Sequence, residues 1–403
     1  MGKPDDGLSD MLAPIESNVF LANYWETKPL SISRKSPGYY HRFITLTDAI
    51  NFITATEMRE PELRLVRDGT PLPTQTYTWK SPLEDIFVNI DRVFSEFHTG
   101  ATVILDALQR KWKPLALLCR SLELFFHQGV QANTYLTPKN SQGFAAHYDT
   151  HDVFVLQIEG SKHWRIYRPP IELPLSSQPF PPSECSPKKQ FGEPIYELDL
   201  EDGDCLYIPR GWVHEASAGG NISAHVTIGI NAFTWAYAFS QALDLVSKQD
   251  VRFRKCFPVC FENTSQAIES VGVQFRELAA ILANNTDVEV LVDQIFDRFV
   301  LTRMPILYGH ITDLEDLARI NLETPLTKRQ GLISRLSSED QFVSISFHGK
   351  RVSFPKHIEP VLRFIAGENG EITPGSLPGN LDGEGRLVLM RRLVKEGYLT
   401  VKC

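Results

Sequence analysis

Short apolar runs alternate with polar positions and turn residues over the middle of the chain, from Gln131 to Asn231. This pattern predicts strands over 131–136, 145–149, 153–159, 163–168, 195–200, 204–208, 213–217 and 222–230. Closely spaced short strands are typical of a β-sandwich or a β-barrel. A small barrel can hold one ligand between its walls, so the middle of the chain is the first place to search for a site.

Helical spacing of apolar residues flanks this β-rich region on both sides. Upstream it predicts helices over 46–52, 85–100 and 113–128, with Thr47 and Asp48 as caps of the first, and strands over 62–66 and 101–105. We expect these helices to pack on the outside of the barrel. Downstream it predicts helices over 235–246, 265–282 and 286–299, whose apolar stripes exceed what one helical layer can bury.

The last hundred residues form a third pattern, which begins near Ile306. It predicts strands over 342–347 and 351–354, helices over 355–366 and 384–396, and a final strand over 398–401. Helix, turn, helix and strand in this order are typical of a winged-helix-like unit. The last helix carries Arg386, Arg391, Arg392 and Lys395, but acidic neighbours favour a solvated charged face over DNA contact.

Composition and charge exclude some classes of protein. The 403 residues are 42% hydrophobic, which is enough for large cores, and the net charge of −8 argues against a chain-wide nucleic-acid surface. The cysteines at 119, 185, 205, 256, 260 and 403 form no CxxC pair, which disfavours a zinc ribbon and favours reduced thiols. A polar, acidic start and the lack of a long apolar run predict a cytoplasmic protein, or a nuclear or nucleolar one in a eukaryote.

The candidate chemistry lies in the HxD sequence that begins at His147 and in one histidine further along the chain. Side chains two apart on a strand share a face, so His147 and Asp149 can reach one metal ion. His214, in the segment GDCLYIPRGWVHEAS, is the best candidate for a third ligand. Two histidines and a carboxylate form the facial triad of non-heme Fe(II) oxygenases. The alternative is a structural His147–Asp149 pair and an unrelated surface histidine at 214.

The segments around this candidate triad occur in a distinctive order: YLTP, NSQGF, HYD, VFVLQIEG, KHWRIYRP and LYIPRGWVHEA. In them the chain resembles the JmjC-type ribosomal oxygenases, cupin-like protein hydroxylases that depend on Fe(II) and 2-oxoglutarate. The resemblance extends over most of the chain. It implies an α+β fold, with a catalytic double-stranded β-helix (jelly-roll) over 1–232, a helical dimerisation domain over 233–305 and a winged-helix-like domain over 306–403.

The resemblance also implies a cosubstrate site. 2-Oxoglutarate and O₂ would meet at the iron, and the far carboxylate of 2-oxoglutarate would need a buried cation. Lys162 stands at the matching position, although a lysine at a strand end can equally lie in solvent. Asn133, Tyr135 and Thr227 are expected to line the same pocket. His225, in AHVTIGIN, could mimic a ligand, but the LYIPRGWVH turn favours the histidine at 214.

The substrate stays open at this point. The leading hypothesis is hydroxylation of a histidine or arginine side chain of a ribosomal protein. The alternatives are another peptide or a histone-like tail, with demethylation included, and a non-catalytic cupin-like scaffold. The resemblance further implies a homodimer, whereas direct nucleic-acid binding and a membrane partner are not expected. The proline-rich segment 168–194 is expected to shape the substrate groove, because long loops in compact domains are often functional.

Overall fold

A computed structural model describes residues 7–181, 187–258 and 264–402. The chain divides into two compact units on either side of the Ala232–Phe233 bond. The described part of each unit has its own hydrophobic core. The cysteines at 185, 260 and 403 fall outside the described residues, as do residues 182–186 of the proline-rich segment.

The described part of the first unit contains three β-sheets, of which two form its main layers and the third is a two-stranded pair. Its helices are α1 (Gly7–Leu12), α2 (Ser17–Asn23), α3 (Leu46–Ala55), α4 (Ile90–His98), α5 (Lys113–Phe126) and α6 (Pro187–Phe191). Its strands are β1 (Leu30–Ile32), β2 (Leu63–Arg67), β3 (Thr70–Pro71), β4 (Thr78–Lys80), β5 (Ile86–Val88), β6 (Thr102–Leu105), β7 (Gly129–Thr137), β8 (Asp152–Glu159), β9 (Ser161–Tyr167), β10 (Tyr196–Glu201), β11 (Cys205–Ile208), β12 (Val213–Ala218) and β13 (Ser223–Asn231). A large sheet of order β1-β11-β8-β13-β7-β6-β2-β3 packs against a smaller one of order β10-β9-β12. This is the predicted jelly-roll.

Strand β8 explains why the two sheets stay together. Val153 and Val155 pack against the small sheet, whereas Phe154 and Leu156 lie in the core shared with α1 and α5. Successive side chains of a strand point to opposite faces, and both faces of this strand are covered. The run VFVL is therefore continuously apolar, as expected of a strand buried on both sides.

Two glycines allow the tight turns that bring the strands of the site together. Gly160 joins β8 to β9 with φ +63°, and a Cβ there would lie 2.1 Å from the carbonyl oxygen of Ile222. Gly203 precedes β11 with φ +90°, and its Cβ would lie 2.2 Å from the carbonyl oxygen of Ser36. Both the left-handed conformation and the lack of space require glycine.

Three details of the predicted elements were wrong. The predicted strand over 145–149 is only an isolated bridge between His147 and His214. The predicted helix over 85–100 begins as strand β5, because Asn89 accepts a hydrogen bond from the Arg92 backbone N–H and starts α4 there. Helix α3 is capped by Thr45 in a capping box with Asp48, and Thr47 is not its cap.

The second unit combines helices with short strands. Its helices are α7 (Trp235–Gln249), α8 (Ser265–Asn285), α9 (Val288–Leu301), α10 (His310–Asp316), α11 (Glu359–Gly367) and α12 (Gly383–Lys395). Its strands are β14 (Leu326–Lys328), β15 (Ser334–Ser338), β16 (Phe342–Phe347), β17 (Lys350–Pro355) and β18 (Leu399–Val401), of which β14 and β15 were not predicted. A separate domain boundary at residue 305 stays a prediction. Among the described helices, none is long and apolar enough to cross a membrane.

The basic side chains of α12 are held within their own unit. Arg386 donates to the carbonyl oxygen of Leu381 at 2.9 Å, and Arg391 donates to that of Ile320 at 2.7 Å. Arg392 forms an ion pair with Glu396 at 2.7 Å, one turn along the helix. Three of the four basic side chains of this helix therefore have partners within their own unit, which disfavours their use in DNA contact.

Candidate metal centre

A cavity of about 470 Å³ lies between the two sheets of the first unit. Strands β7 and β13 form one wall, and strands β9 and β12 form the other. The candidate site residues all line this cavity: Asn133, Tyr135, His147, Asp149, Lys162, His214 and Thr227. The structure therefore brings together side chains that are up to about ninety residues apart in the sequence.

The three candidate metal ligands converge at one point of the cavity wall. Ligand atoms of His147, Asp149 and His214 all lie within 4.8 Å of one another. The Nε2 atom of His214 is 3.7 Å from an Asp149 carboxylate oxygen. Two backbone hydrogen bonds join the distant segments, from the His147 N–H to the His214 carbonyl at 3.1 Å and back at 2.8 Å. The backbone thus fixes the approach of the two imidazoles.

Each imidazole is oriented by a backbone carbonyl. The Nδ1 atom of His147 lies 2.8 Å from the Ala145 carbonyl oxygen, and the Nδ1 atom of His214 lies 3.0 Å from that of Trp212. A carbonyl only accepts, so Nδ1 carries the proton in both rings and Nε2 keeps its lone pair. Metal-bound histidines are usually held in this way, because the second nitrogen fixes the tautomer and the ring direction.

The protonation states also suit metal binding. Burial, together with the neighbouring imidazole of His147, lowers the pKa of His214 to about 4. Burial alone would raise the pKa of Asp149, but the imidazoles of His151, His147 and His214 bring it below its usual value. A neutral imidazole and an ionised carboxylate are the forms that bind metals, so these groups need lose no proton near neutral pH.

Lys162 lies on β9 in the same cavity, and its side chain is buried. Its ammonium group donates to the Thr137 hydroxyl at 3.0 Å and lies 3.4 Å from Nδ1 of His225. Within the described part of the chain, no carboxylate lies at ion-pairing distance from it, and burial lowers the pKa of Lys162 to about 7. A buried amine without a counter-ion is costly, which makes this a suitable place for an anionic ligand.

The remaining predicted pocket residues contribute polar walls. The Asn133 side-chain oxygen accepts a hydrogen bond from the Ala107 backbone N–H at 2.9 Å, which fixes the amide. The Tyr135 ring stacks on His225 at 4.6 Å, and burial raises the pKa of Tyr135 to about 12, so the phenol stays neutral. His225 therefore lies beside Lys162. His214 is the histidine whose ligand atom lies close to those of His147 and Asp149.

Sequence reasoning missed several residues that line the cavity. Arg64 and Asp106 form an ion pair with two hydrogen bonds, one of them 2.7 Å long, and both side chains line the cavity. Trp164, which also lines the cavity, and Thr137, which accepts a hydrogen bond from Lys162, were missed too. Arg64 and Asp106 come from strand β2 and from the end of β6, so their meeting depends on strand pairing that local periodicity does not reveal.

An aromatic cluster anchors the described ends of the proline-rich segment beside the HxD sequence. The Tyr148 ring meets Phe180 edge to face at 5.0 Å, and its hydroxyl donates to the Gln178 carbonyl at 3.1 Å. Phe191 lies 6.1 Å from Phe180 and 6.2 Å from Tyr167. The segment is thus tied to the residue between two candidate metal ligands.

Comparisons with known proteins agree with this geometry. Residues 108–237 match the JmjC domain. Curated relatives include proteins described as "Bifunctional lysine-specific demethylase and histidyl-hydroxylase NO66". The one from Aedes aegypti is 28% identical over 378 residues, which cover 83% of this chain and 56% of that protein. The one from Drosophila erecta is 30% identical over 320 residues, which cover 73% and 46%. The chain spans about half the length of these relatives.

Solved structures of the Escherichia coli ribosomal oxygenase YcfD share the fold. One has a TM-score of 0.54 and 20% identity, and the match covers 96% of this chain and 98% of that one. A second, in complex with cobalt and 2-oxoglutarate, has a TM-score of 0.52 and 19% identity, with coverage of 97% and 99%. The predicted fold class is confirmed.

Proposed function

We propose that this chain, whose residues 108–237 match the JmjC domain, is an oxygenase that uses Fe(II) and 2-oxoglutarate to hydroxylate a protein side chain. One observation carries the proposal. Two imidazoles and one carboxylate converge at one place in a cavity whose wall also contains a buried lysine, and no carboxylate of the described residues lies at ion-pairing distance from that lysine. A structural His–Asp pair would need neither the third ligand nor the buried amine.

The donor set fits a ferrous ion. His147, Asp149 and His214 supply two borderline nitrogen donors and one hard oxygen donor, the combination found in facial-triad iron sites. With 2-oxoglutarate and O₂, iron supplies the oxidation that inserts one oxygen atom into a C–H bond, with succinate and CO₂ as coproducts. The protein's part is to hold the ligands in their metal-binding tautomers and ionisation states, as the carbonyl contacts and pKa shifts indicate.

The other cavity residues would bind and orient the cosubstrate. Lys162 would receive the far carboxylate, because that charge cannot be buried without a cation. Asn133, Tyr135 and Thr227 would line the same pocket, with Tyr135 as a neutral hydrogen-bond donor. Lys162 is buried, and a polar contact made away from water is stronger than one made in solvent.

We infer that the substrate is a histidine or arginine side chain of a ribosomal protein. The names of the relatives include a histidyl-hydroxylase activity, and the structural neighbours are described as ribosomal oxygenases. Lysine demethylation is the second candidate, because the same relatives carry both activities in their names. Both reactions begin with oxygen insertion at a C–H bond, so the ligand set suits either. A non-catalytic scaffold is disfavoured by the complete triad.

A single assay separates these functions. The protein is incubated with Fe(II), 2-oxoglutarate and either ribosomal proteins or methylated histone peptides, and succinate and peptide masses are measured. Ribosomal hydroxylation predicts succinate release stimulated by ribosomal protein, with the gain of one oxygen atom on a histidine or arginine. Loss of a methyl group with formaldehyde release would identify a demethylase. If neither product forms although the metal site is intact, a non-catalytic scaffold would be the remaining function.

We further propose that α7, α8 and α9 mediate a homodimer. Helix α8 has 21 residues, and none of them is buried. Its apolar side chains include Phe275, 70% exposed, and Val273, 57% exposed, and Phe239 of α7 is 62% exposed. Soluble proteins rarely leave such a surface open. A second copy of the same helices is a self-complementary partner, in line with the two-fold symmetry of most homodimers.

Replacing Phe275 with glutamate is expected to convert the dimer into monomers, because a charge would have to be desolvated in the contact. Light scattering after size-exclusion chromatography measures the mass directly. Gln274→Glu is the matched control, since it adds the same charge at the neighbouring exposed position. A wild-type protein that is already monomeric, or a Phe275→Glu protein that remains dimeric, would contradict the proposal.

Removing the Phe180 ring is expected to weaken turnover of the protein substrate while sparing the cosubstrate. Loss of this anchor frees the proline-rich segment, and re-ordering it on binding costs about 1 kcal/mol, or several-fold in kcat/KM. Steady-state kinetics of Phe180→Ala with each substrate varied in turn measures both effects. Ile171→Ala, an exposed position in the same segment, is the control. Equal changes in the KM values of peptide and 2-oxoglutarate would rule out a groove-shaping role.

A further inference from the structure

Lys162 and His225 form an isolated pair of bases. Nζ lies 3.4 Å from Nδ1 of the imidazole, and both side chains are buried. The other partner of Nζ is the hydroxyl of Thr137, which is neutral and itself accepts from the Thr102 hydroxyl at 3.2 Å. Neither of the two hydrogen-bond partners of Nζ therefore carries a negative charge.

The residues that stack on the pair or lie opposite Lys162 in the sheet are not acids. Strand β7 presents the neutral phenol of Tyr135, which stacks on the imidazole with an angle of 4° between the rings. Strands β10 and β12 place Leu200 and Ala218 opposite Lys162 in the sheet register. The same cavity is also lined by three carboxylates and three imidazoles: Asp106, Asp149, Glu215, His147, His151 and His214. Within the described residues, Nζ of Lys162 has Thr137 and His225 as its hydrogen-bond partners and none of these six groups.

The pair cannot carry two charges. The His225 ring packs between the ring of Tyr135 and that of Trp164, whose centroid lies 5.8 Å away. These contacts hold the imidazole beside the Lys162 amine. Two cations at this distance in a buried site repel strongly. Burial, and then the Lys162 ammonium, lower the pKa of His225 well below its ordinary value. The imidazole is thus an acceptor for the ammonium, and the lysine is the group that changes charge.

We propose that above neutral pH this pair takes up one proton from solvent when the far carboxylate of the keto acid binds, so that Lys162 is a neutral amine without the anion and an ammonium beside it. His225 is the positioning residue that accepts a hydrogen bond from the charged form of Lys162. The inference rests on the proposed use of 2-oxoglutarate at this cavity. No bond other than the new N–H bond is made.

The sign of the pH dependence follows from linkage. The pKa of Lys162 is about 7 without the anion, and a carboxylate beside it favours the ammonium form and raises that pKa. Below that pH the lysine is already charged, so binding of 2-oxoglutarate takes up almost no proton. Above it, binding must recruit a proton, and the affinity falls by up to about tenfold per pH unit.

Calorimetry tests this directly. Protein loaded with Mn(II), which prevents turnover, is titrated with 2-oxoglutarate at pH values of about 6 and 8 in buffers of different ionisation enthalpy. We expect an uptake approaching one proton at the higher pH and little at the lower one. Lys162→Arg should bind without uptake, because arginine is always charged. His225→Phe keeps the stacked ring but removes the acceptor, so it should bind several-fold more weakly, with the pH dependence starting at lower pH.

The outcomes separate this inference from the function it rests on. Binding to the wild-type protein at the higher pH with no proton uptake would overturn the inference and leave the proposed function standing. An unchanged pH dependence in His225→Phe would overturn the role of the imidazole. Failure of the Mn(II)-loaded protein to bind 2-oxoglutarate at either pH would overturn the proposed cosubstrate itself.

Discussion

Replacing His214 with alanine is expected to abolish both metal binding and 2-oxoglutarate turnover. The imidazole is one of three proposed ligands, and the remaining His147–Asp149 pair offers only two donor atoms. Changes in residues that merely support ligands typically cost about 10–100-fold in metal affinity or activity, so the loss of a ligand should exceed that range. Metal content after reconstitution with Fe(II) or Co(II), and succinate release, measure the two effects.

The matched control for this change is His163→Ala. His163 lies on the outer face of β9, where its ring nitrogens contact Asp199 at 2.8 Å and Glu197 at 2.9 Å. It is also a histidine on a strand of the small sheet, but it does not line the cavity. We expect it to retain metal and turnover. Full metal content in His214→Ala, or its loss in His225→Ala with His214 intact, would refute the ligand assignment.

Replacing Lys162 with methionine is expected to separate stability from binding. Methionine has a similar length and no charge, so the protein without ligand should be at least as stable, because a buried amine without a counter-ion is removed. Binding of 2-oxoglutarate should weaken by more than a hundredfold, since an unpaired buried carboxylate costs about 3 kcal/mol or more. Thermal unfolding with and without 2-oxoglutarate shows both effects in one experiment.

Lys139→Met is the control for this second prediction. Lys139 is exposed just beyond the end of β7, so its replacement should change neither quantity. Metal content should remain normal in both variants, which distinguishes loss of the cosubstrate from loss of the metal. A Lys162→Met protein that binds 2-oxoglutarate as tightly as the wild type would exclude this lysine as the carboxylate partner.

Local pattern was enough to predict most of the strands of the jelly-roll. The run around Val155 is apolar on both faces, and the alternation in β7 and β13 separates core residues from cavity residues. The HxD spacing placed two donors on one side even though their segment is a single bridge rather than a strand. A bridge of one residue pair preserves the extended backbone that the spacing argument requires.

Pairing between distant strands was the part that pattern could not supply. His225 meets Tyr135 because β13 pairs with β7 in one particular register, and Arg64 meets Asp106 through the pairing of β2 with β6. A shift of one residue would reverse the faces in either case. Caps were also ambiguous, since Thr45 and Thr47 are both threonines near the start of α3 and only the backbone angles select one.

The two backbone hydrogen bonds between His147 and His214 bear on whether the protein stays folded without its metal. These bonds join peptide N–H and carbonyl groups, so they do not depend on the side chains that would bind the metal. A zinc finger, by contrast, unfolds when its ion is removed. We therefore expect this protein to stay folded when its metal is removed. It should bind the metal again, without refolding, once the ion is supplied.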